Sequence, residues 1–130
     1  CLAGLRVGAA GSVTFVDSNL RAIALAQRNA TANQTPQPRF LAAARLEGLE
    51  PASFDVILAN PPYYALTEIT RLFIAGARPL LAPGGRYYLV TKMPTAVVPM
   101  IFQTFGDCSV HENRGYSVIS ATRGPSSFPR

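Results

Sequence analysis

Asn60 is the residue of this chain whose type and setting best suit chemistry. It follows an apolar run, residues 54–59. Two prolines and two tyrosines come next: Pro61, Pro62, Tyr63 and Tyr64. Because prolines lack a backbone N–H and bias the preceding residue away from the helical region, the carboxamide is held where the run stops. An amide oxygen, main-chain carbonyls and an aromatic face together suit a planar amino group.

The run 54–59 predicts the strand that positions Asn60. It is nearly all apolar rather than alternating, which is typical of a strand buried on both faces of a parallel sheet. Open α/β sheets bind their ligands at the carboxyl ends of their strands. The sequence therefore predicts Asn60 at a ligand-binding edge. The alternative is a Pro-Pro turn that only ends the strand.

Strands alternate with helices along the rest of the chain. The predicted strands are residues 13–16, 39–43, 54–59, 86–91, 109–112 and 116–121. The predicted helices are residues 2–10, a segment from Ser18 or Asn19 to Asn33, residues 66–81 and residues 94–105. This order predicts an α/β fold, a doubly wound Rossmann-like sheet that is mostly parallel and ends in an antiparallel hairpin. We expect one domain over residues 1–123, a turn at residues 83–85 and a frayed tail, residues 124–130.

Apolar spacing also predicts the inward faces of two helices. For the helix over residues 66–81 these side chains are Ile69, Leu72, Phe73, Ala77 and Leu80. For the helix over residues 94–105 they are Val97, Val98, Ile101, Phe102 and Phe105.

Composition narrows the classes of function. The chain carries a net charge of +5, and it contains eleven arginines but only one lysine, Lys92. Such a charge suits a polyanion such as nucleic acid, although scattered arginines on solvated helix faces explain it equally well. Cys1 and Cys108 have no metal-ligand spacing, and His111 is the only histidine, so a zinc site or a Ser-His-Asp triad is not expected. We expect a cytoplasmic protein, because no apolar run is long enough to span a membrane.

Asn-Pro-Pro-Tyr, preceded by Phe-Asp-Val-Ile, resembles the catalytic motif of class I S-adenosylmethionine-dependent methyltransferases that modify amino nitrogens. The resemblance implies that Asn60, Pro61, Pro62 and Tyr63 are catalytic. The Asn60 oxygen and the Pro61 carbonyl would accept hydrogen bonds from the amino group, and Tyr63 would stack on a flipped base. Tyr64 would extend that wall or belong to the core.

The resemblance also implies a binding site for S-adenosylmethionine. Asp17, at the end of the strand over residues 13–16, would accept hydrogen bonds from the ribose hydroxyls, with Ser18 beside it; the alternative is a helix-capping Asp. Ala44 takes the place of the family's adenine-reading carboxylate, so the adenine contact would be lost or supplied by main chain. Neighbouring Arg45 is better explained as a surface residue. Asn60 would border the cofactor as well.

The family's first strand and glycine-rich loop are not recognisable in the sequence. The opening residues, Cys1 to Leu5, resemble the segment that follows that loop. We therefore expect either a fragment of a longer protein or a fold that has lost its first strand.

Three segments resemble the ribosomal RNA guanine-N2 methyltransferases: residues 77–86, 89–92 and 114–119. RNA is the expected substrate, with Lys92, Tyr63 and Tyr64 contacting it. Adenine N6 and a protein glutamine remain alternatives, because the motif and the opening residues also resemble the glutamine methyltransferases of release factors. Two further hypotheses are a non-catalytic module that binds RNA or a partner protein, and a dinucleotide-dependent oxidoreductase. The oxidoreductase would use Asp17 but leaves the prolines and the hairpin unexplained.

Overall fold

The computed structural model describes residues 11–62 and 68–125, and these contain six strands and three helices. In chain order they are β1 (Val13–Asp17), α1 (Leu20–Ala32), β2 (Pro38–Ala42), β3 (Phe54–Ala59), α2 (Glu68–Leu80), β4 (Leu81–Thr91), α3 (Pro94–Phe105), β5 (Ser109–Asn113) and β6 (Tyr116–Thr122). The chain divides into two compact units, residues 1–46 and 47–130. The helix predicted over residues 2–10 lies outside the described residues.

The first unit is built from β1, α1 and β2. The two strands are parallel, with Val13 opposite Pro38 and Asp17 opposite Ala42. Helix α1 connects them and packs on both. Of the two predicted caps, Asn19 is the one observed: its side-chain oxygen accepts a hydrogen bond from the Arg21 N–H at 2.9 Å. The order β1–α1–β2 confirms the predicted parallel crossover.

The second unit holds a four-stranded sheet in the order β3-β4-β6-β5. β3 and β4 are parallel, whereas β4, β6 and β5 pair antiparallel. The two residues of the β5–β6 loop, Arg114 and Gly115, have φ values of 51° and 80°, as a type I′ turn requires. The predicted α/β class with parallel pairing and a closing antiparallel hairpin is confirmed.

Helices α2 and α3 pack against each other and against the same sheet. The side chains between the helices and the sheet are almost completely buried: Ile74, Ala77, Leu81, Tyr87, Leu89, Val97, Ile101 and Ile119. The Tyr87 ring stacks on Phe105, with 5.4 Å between ring centroids. This packing makes the sheet a firm support for residues at its edges.

The predicted inward face of α2 is wrong in part. Ala77 and Leu80 are buried as expected, but the other buried residues are Thr70 and Ile74, while Ile69 and Leu72 are exposed. The helix carries apolar side chains around more than one face, so spacing alone did not select the face that packs. In α3, Val97 and Ile101 are buried, but Phe102 is 56% exposed.

β3 is also less buried than its apolar sequence predicts. It is the edge strand of the four-stranded sheet, and Val56 and Leu58 are 51% and 59% exposed. Ile57 and Ala59 share a face with Tyr87 and Leu89 of β4, which is the face covered by helices. The expectation of a strand buried on both faces is therefore wrong, because Val56 and Leu58 project from the opposite face.

The turn predicted at residues 83–85 is absorbed into β4. The register slips between Phe54, opposite Leu81, and Val56, opposite Arg86, so the strand bulges between these pairs. Gly84 takes a positive φ of 80° in the bulge. A Cβ at Gly85 would lie 2.8 Å from the Ala82 carbonyl oxygen, so the bulge needs a glycine there.

Candidate active site

Asn60 lies at the carboxyl end of β3, one residue beyond the pair formed by Ala59 and Leu89. Its side chain is exposed, whereas Pro61 is buried and Pro62 is half-buried. The buried ring of Pro61 anchors the chain directly after Asn60, and neither proline can extend the strand. The carboxamide is therefore presented to solvent from a fixed point at the end of a strand.

Tyr63 and Tyr64 belong to residues 63–67, which lie outside the described residues. Their predicted stacking on a base stays a prediction. In the described part of the motif, the groups that can bind a substrate are oxygen atoms that accept hydrogen bonds. The Asn60 side chain and the Pro61 carbonyl both offer acceptors, which can bind the two hydrogens of one amino group.

Asp17 ends β1 and is exposed, with Ser18 exposed beside it. One carboxylate oxygen of Asp17 accepts a hydrogen bond from the Asn19 N–H at 2.8 Å, and its main-chain carbonyl accepts one from the Ala43 N–H at 3.0 Å. A carboxylate offers about four lone-pair sites, so this bond leaves capacity for two hydroxyl donors. Asp17 is therefore not the cap of α1, which is Asn19, but it braces the turn into that helix and can still hold a ribose.

Ala44 and Arg45 follow β2, which ends at Ala42. Since β2 is parallel to β1, they lie at the same sheet edge as Asp17. Both are exposed. Ala44 offers a methyl group and no side-chain acceptor, so only main-chain atoms could contact an adenine amino group at this position.

Lys92 comes directly after β4, at the same sheet edge as Asn60. The hydroxyl of buried Thr91 accepts a hydrogen bond from the Met93 N–H at 3.0 Å, which turns the chain sharply at Lys92. The ladder pairs Thr91 with Ser117, so the next position brings Lys92 opposite Tyr116. The Lys92 ammonium lies 4.8 Å from the centre of the Tyr116 ring.

Tyr116 is the residue at this edge that the sequence analysis did not select. An antiparallel return places the first residue of β6 beside the last residues of β4, and this placement is set by the register between the strands. Within the second unit the structure therefore brings Lys92 and Tyr116 into contact, at the same sheet edge as Asn60. Within the first unit it brings together Asp17, Ser18, Ala44 and Arg45.

Residues 11–62 and 68–125 contain neither a metal-ligand cluster nor a membrane-spanning helix. No group of three or more His, Cys, Asp or Glu side chains there is placed to hold a metal ion. No helix in that part of the chain has the length and apolar character needed to span a bilayer.

Comparison with known sequences supplies relatives along most of the chain. A ribosomal RNA large subunit methyltransferase G from Streptomyces avermitilis is 39% identical over 83 residues, covering 60% of this chain and 22% of the relative. The protein of the same name from Klebsiella pneumoniae is 29% identical over 120 residues, covering 86% of this chain and 32% of the relative. The chain thus spans a third or less of the length of these relatives.

Solved structures give the same answer for the fold. The T. thermophilus 16S rRNA N2-guanine methyltransferase RsmC, solved with AdoMet and guanosine, superposes with a TM-score of 0.73 and 24% identity, over 87% of this chain and 32% of that one. TrmN from Thermus thermophilus superposes with a TM-score of 0.75 and 29% identity, over 94% and 39%.

The sequence model of the methyltransferase small domain matches residues 3–120, which is nearly the whole chain. That span includes both units and every candidate site residue discussed above. The resemblance inferred from Asn-Pro-Pro-Tyr is thereby confirmed at the level of the family. The chain belongs to the methyltransferase small domain family.

Proposed function

We propose that this chain supplies the catalytic domain of an S-adenosylmethionine-dependent methyltransferase that modifies N2 of guanine in ribosomal RNA. The observation that carries the proposal is the Asn60 carboxamide, exposed and fixed by a buried proline at the carboxyl end of a parallel strand, in a chain of the methyltransferase small domain family. The choice of ribosomal RNA is supported by the names of the relatives. The choice of guanine N2 is supported by the name of the structural neighbour RsmC.

Orientation of the amine is the task we assign to the motif. An exocyclic amino nitrogen is a weak nucleophile, because its lone pair is delocalised into the ring. When its two hydrogens are bound by the Asn60 side-chain oxygen and the Pro61 carbonyl, the nitrogen is drawn toward a pyramidal shape and its lone pair points along one direction. Positioning of this kind lowers the barrier of a substitution reaction without acid or base catalysis.

The same oxygens stabilise charge as the reaction proceeds. The nitrogen becomes positive as it takes up the methyl carbon, whose bond to sulfur would break in the same step with the electron pair left on sulfur. Acceptors aimed at the nitrogen's hydrogens then bind more strongly than in the ground state. The nitrogen afterwards releases one proton, and the exposure of Asn60 lets water take it. Tyr63, in the role the resemblance implies, would add the face of an aromatic ring.

Asp17 is the described residue that fits the cofactor best, as the acceptor of its ribose hydroxyls. Ser18, the main chain at Ala44 and neighbouring Arg45 stand at the same sheet edge as Asp17 and complete the proposed contacts of the first unit. Asn60 stays the cofactor contact that the family resemblance implies for the motif. When bound, the cofactor supplies a methyl group activated by a positively charged sulfur. The chain's own residues bind it and orient the acceptor.

The test is product identification with the full chain. Ribosomal RNA lacking the modification is incubated with S-adenosylmethionine carrying a labelled methyl group, digested to nucleosides and analysed by mass spectrometry. We expect the label in N2-methylguanosine, and we expect none with Asn60→Ala. Label in N6-methyladenosine would overturn the substrate assignment. Equal labelling by the Asn60→Ala variant would overturn the role of the motif.

A second candidate, a non-catalytic binding module, is favoured by one observation: Ala44 offers no carboxylate where the family reads adenine. Calorimetry with S-adenosylhomocysteine separates the two. Micromolar binding that is lost with Asp17→Ala supports the enzyme. RNA binding without any binding of S-adenosylhomocysteine supports the module.

A further inference from the structure

The tip of the β5–β6 hairpin lies at the same sheet edge as Asn60. β6 runs antiparallel to β4 and β5 antiparallel to β6, so the loop between them returns to the carboxyl end of β4. β4 alone separates β3 from β6, which sets them two strand spacings, about 10 Å, apart. Residues at the hairpin tip are therefore near enough to Asn60 to contact a nucleotide next to the one that is modified.

Three side chains at this tip combine positive charge with an aromatic ring. Lys92 lies over the Tyr116 ring at 4.8 Å, and Tyr116 is 43% exposed. Arg114 is exposed at the first position of the loop, two residues before Tyr116. We call Lys92, Arg114 and Tyr116 the hairpin patch. A ring held beside cations is the combination by which proteins bind single-stranded nucleic acid, the ring for a base and the cations for phosphates.

The hairpin directs this patch to one face of the sheet. Tyr116 pairs with Asn113, and Val118 pairs with both His111 and Val90, so these residues share a face with Tyr116. Glu112, the acidic residue of the hairpin strands, is exposed and pairs with buried Ser117, on the opposite face of the sheet. The face that carries Tyr116 thus presents its cations without the Glu112 carboxylate among them.

The identity of residue 114 also favours a binding role for the hairpin tip. It has a φ of 51°, in the left-handed region, where type I′ loops strongly prefer Asn, Asp or Gly. The loop Arg114-Gly115 therefore carries an arginine where Asn would suit the backbone better. The turn itself gives no reason for the positive charge.

We propose that the hairpin patch binds the RNA strand beside the modified guanine, with a base stacked on Tyr116 and the flanking phosphates bound by Lys92 and Arg114. The inference rests on the proposed function for its choice of RNA. It adds a substrate contact outside the Asn-Pro-Pro-Tyr motif. The Lys92 ammonium lies over one side of the Tyr116 ring, which is partly exposed, so a base can stack on the rest of that ring.

Arg114→Asn is the sharpest variant, because it removes the charge while giving the loop its preferred Asn-Gly sequence. Binding of a fluorescent single-stranded RNA that contains the target guanine is measured by anisotropy with the full chain at several salt concentrations. For each lost phosphate contact on a single strand, we expect the slope of log affinity against log salt to fall by about 0.7. Tyr116→Ala should weaken binding roughly tenfold, and Tyr116→Phe, which keeps the ring, should bind as the wild type does.

Arg78→Gln is the matched control. Arg78 is exposed in the last turn of α2, at the opposite end of the sheet, and its removal changes the net charge by the same amount. The proposal is overturned if Arg114→Asn and Tyr116→Ala bind RNA as tightly as Arg78→Gln, or if the wild type does not bind RNA. Thermal unfolding of each variant, expected unchanged or raised for Arg114→Asn, separates lost contacts from a damaged hairpin.

Methyl transfer, measured on the same proteins, distinguishes failure of the hairpin patch proposal from failure of the proposed function. If the wild type forms N2-methylguanosine and the patch variants bind and react normally, the hairpin patch is wrong and the proposed function stands. If the wild type methylates no guanine but the patch variants still lose RNA affinity, the proposed function is wrong and the patch stands.

Discussion

The two units of this molecule end their parallel strands in different ways. β1 ends in Asp17, whose carboxylate binds the Asn19 N–H, and Asn19 in turn caps α1. Asn60 follows β3 directly, and the buried ring of Pro61 anchors the chain at that point. The carboxylate therefore has a structural task as well as a proposed chemical one, whereas proline rings leave the carboxamide available for a substrate.

The units also differ in how completely their side chains are buried. In the first, among described residues, the buried apolar side chains are Ile23 and Ala30, and the Phe15 and Phe40 rings that stack between β1 and β2 are only half-buried. In the second, Tyr87, Leu89 and Ile119 are completely buried beneath two helices. The difference indicates that the residue proposed to orient the substrate stands on the better-packed sheet. A site of this kind keeps its geometry without support from flexible loops.

The largest expected effect is on the packing beneath that sheet. Tyr87→Ala removes a fully buried ring that stacks on Phe105, so we expect the free energy of unfolding to fall by about 3–5 kcal/mol. Urea denaturation of the full chain measures the change. A loss below about 1 kcal/mol would mean that the sheet is not the better-packed support described above.

Asp17→Ala tests the dual task assigned to the end of β1. It removes a charged acceptor, and we expect affinity for S-adenosylhomocysteine to fall about 10- to 100-fold in calorimetry. Asp17→Asn is the matched variant, because its side-chain oxygen can still accept from the Asn19 N–H. A smaller loss with Asn than with Ala fits the dual role, and unchanged affinity in both variants would leave Asp17 with only its structural one.

Phe15→Ala tests whether the side chains of the first unit are less tightly packed than those of the second. The half-buried ring stacks on Phe40 at 5.3 Å, so its removal should lower the free energy of unfolding by about 1–2 kcal/mol. Urea denaturation under the conditions used for Tyr87→Ala gives a direct comparison. A loss equal to that of Tyr87→Ala would erase the difference between the units.

The smallest effect concerns the Tyr87 hydroxyl, which is buried without a hydrogen-bond partner in the described part of the chain. Burial raises the pKa of Tyr87 well above its usual value of 10.0. The neutral form is thus favoured by folding, and the corresponding stability is complete below pH 10 and is lost as the pH rises beyond it. Tyr87→Phe should keep or raise stability by up to about 1 kcal/mol near neutral pH and should weaken the alkaline loss. An unchanged alkaline loss in Tyr87→Phe would assign it to other groups.

Much of the fold could be predicted from the sequence because its local signals agree with one another. β-branched strands, the Asn19 cap, proline at the start of α3 and the Arg114-Gly115 turn each specify their element from nearby residues. Burial was harder to predict. Val56 and Leu58 were expected inside, because an apolar strand gives no sign of lying at a sheet edge, and α2 has apolar side chains on several faces.

The residues of the candidate site also differ in whether the sequence could predict them. Asn60 and Asp17 could be found in the sequence, since each follows its strand directly. The pairing of Lys92 with Tyr116 could not, because it depends on the register between strands more than twenty residues apart in the sequence. Such contacts follow from topology rather than from local pattern.

The central claim is that Asn60 orients the amine and contributes little to cofactor affinity, and Asn60→Ala tests it most directly. Single-turnover methyl transfer to RNA is recorded with saturating cofactor and RNA, alongside the affinity for S-adenosylhomocysteine on the same preparation. We predict a rate at least about 100-fold below that of the wild type, with the affinity within a few fold. A rate within a few fold of the wild type, or a loss explained entirely by weaker cofactor binding, would contradict the account.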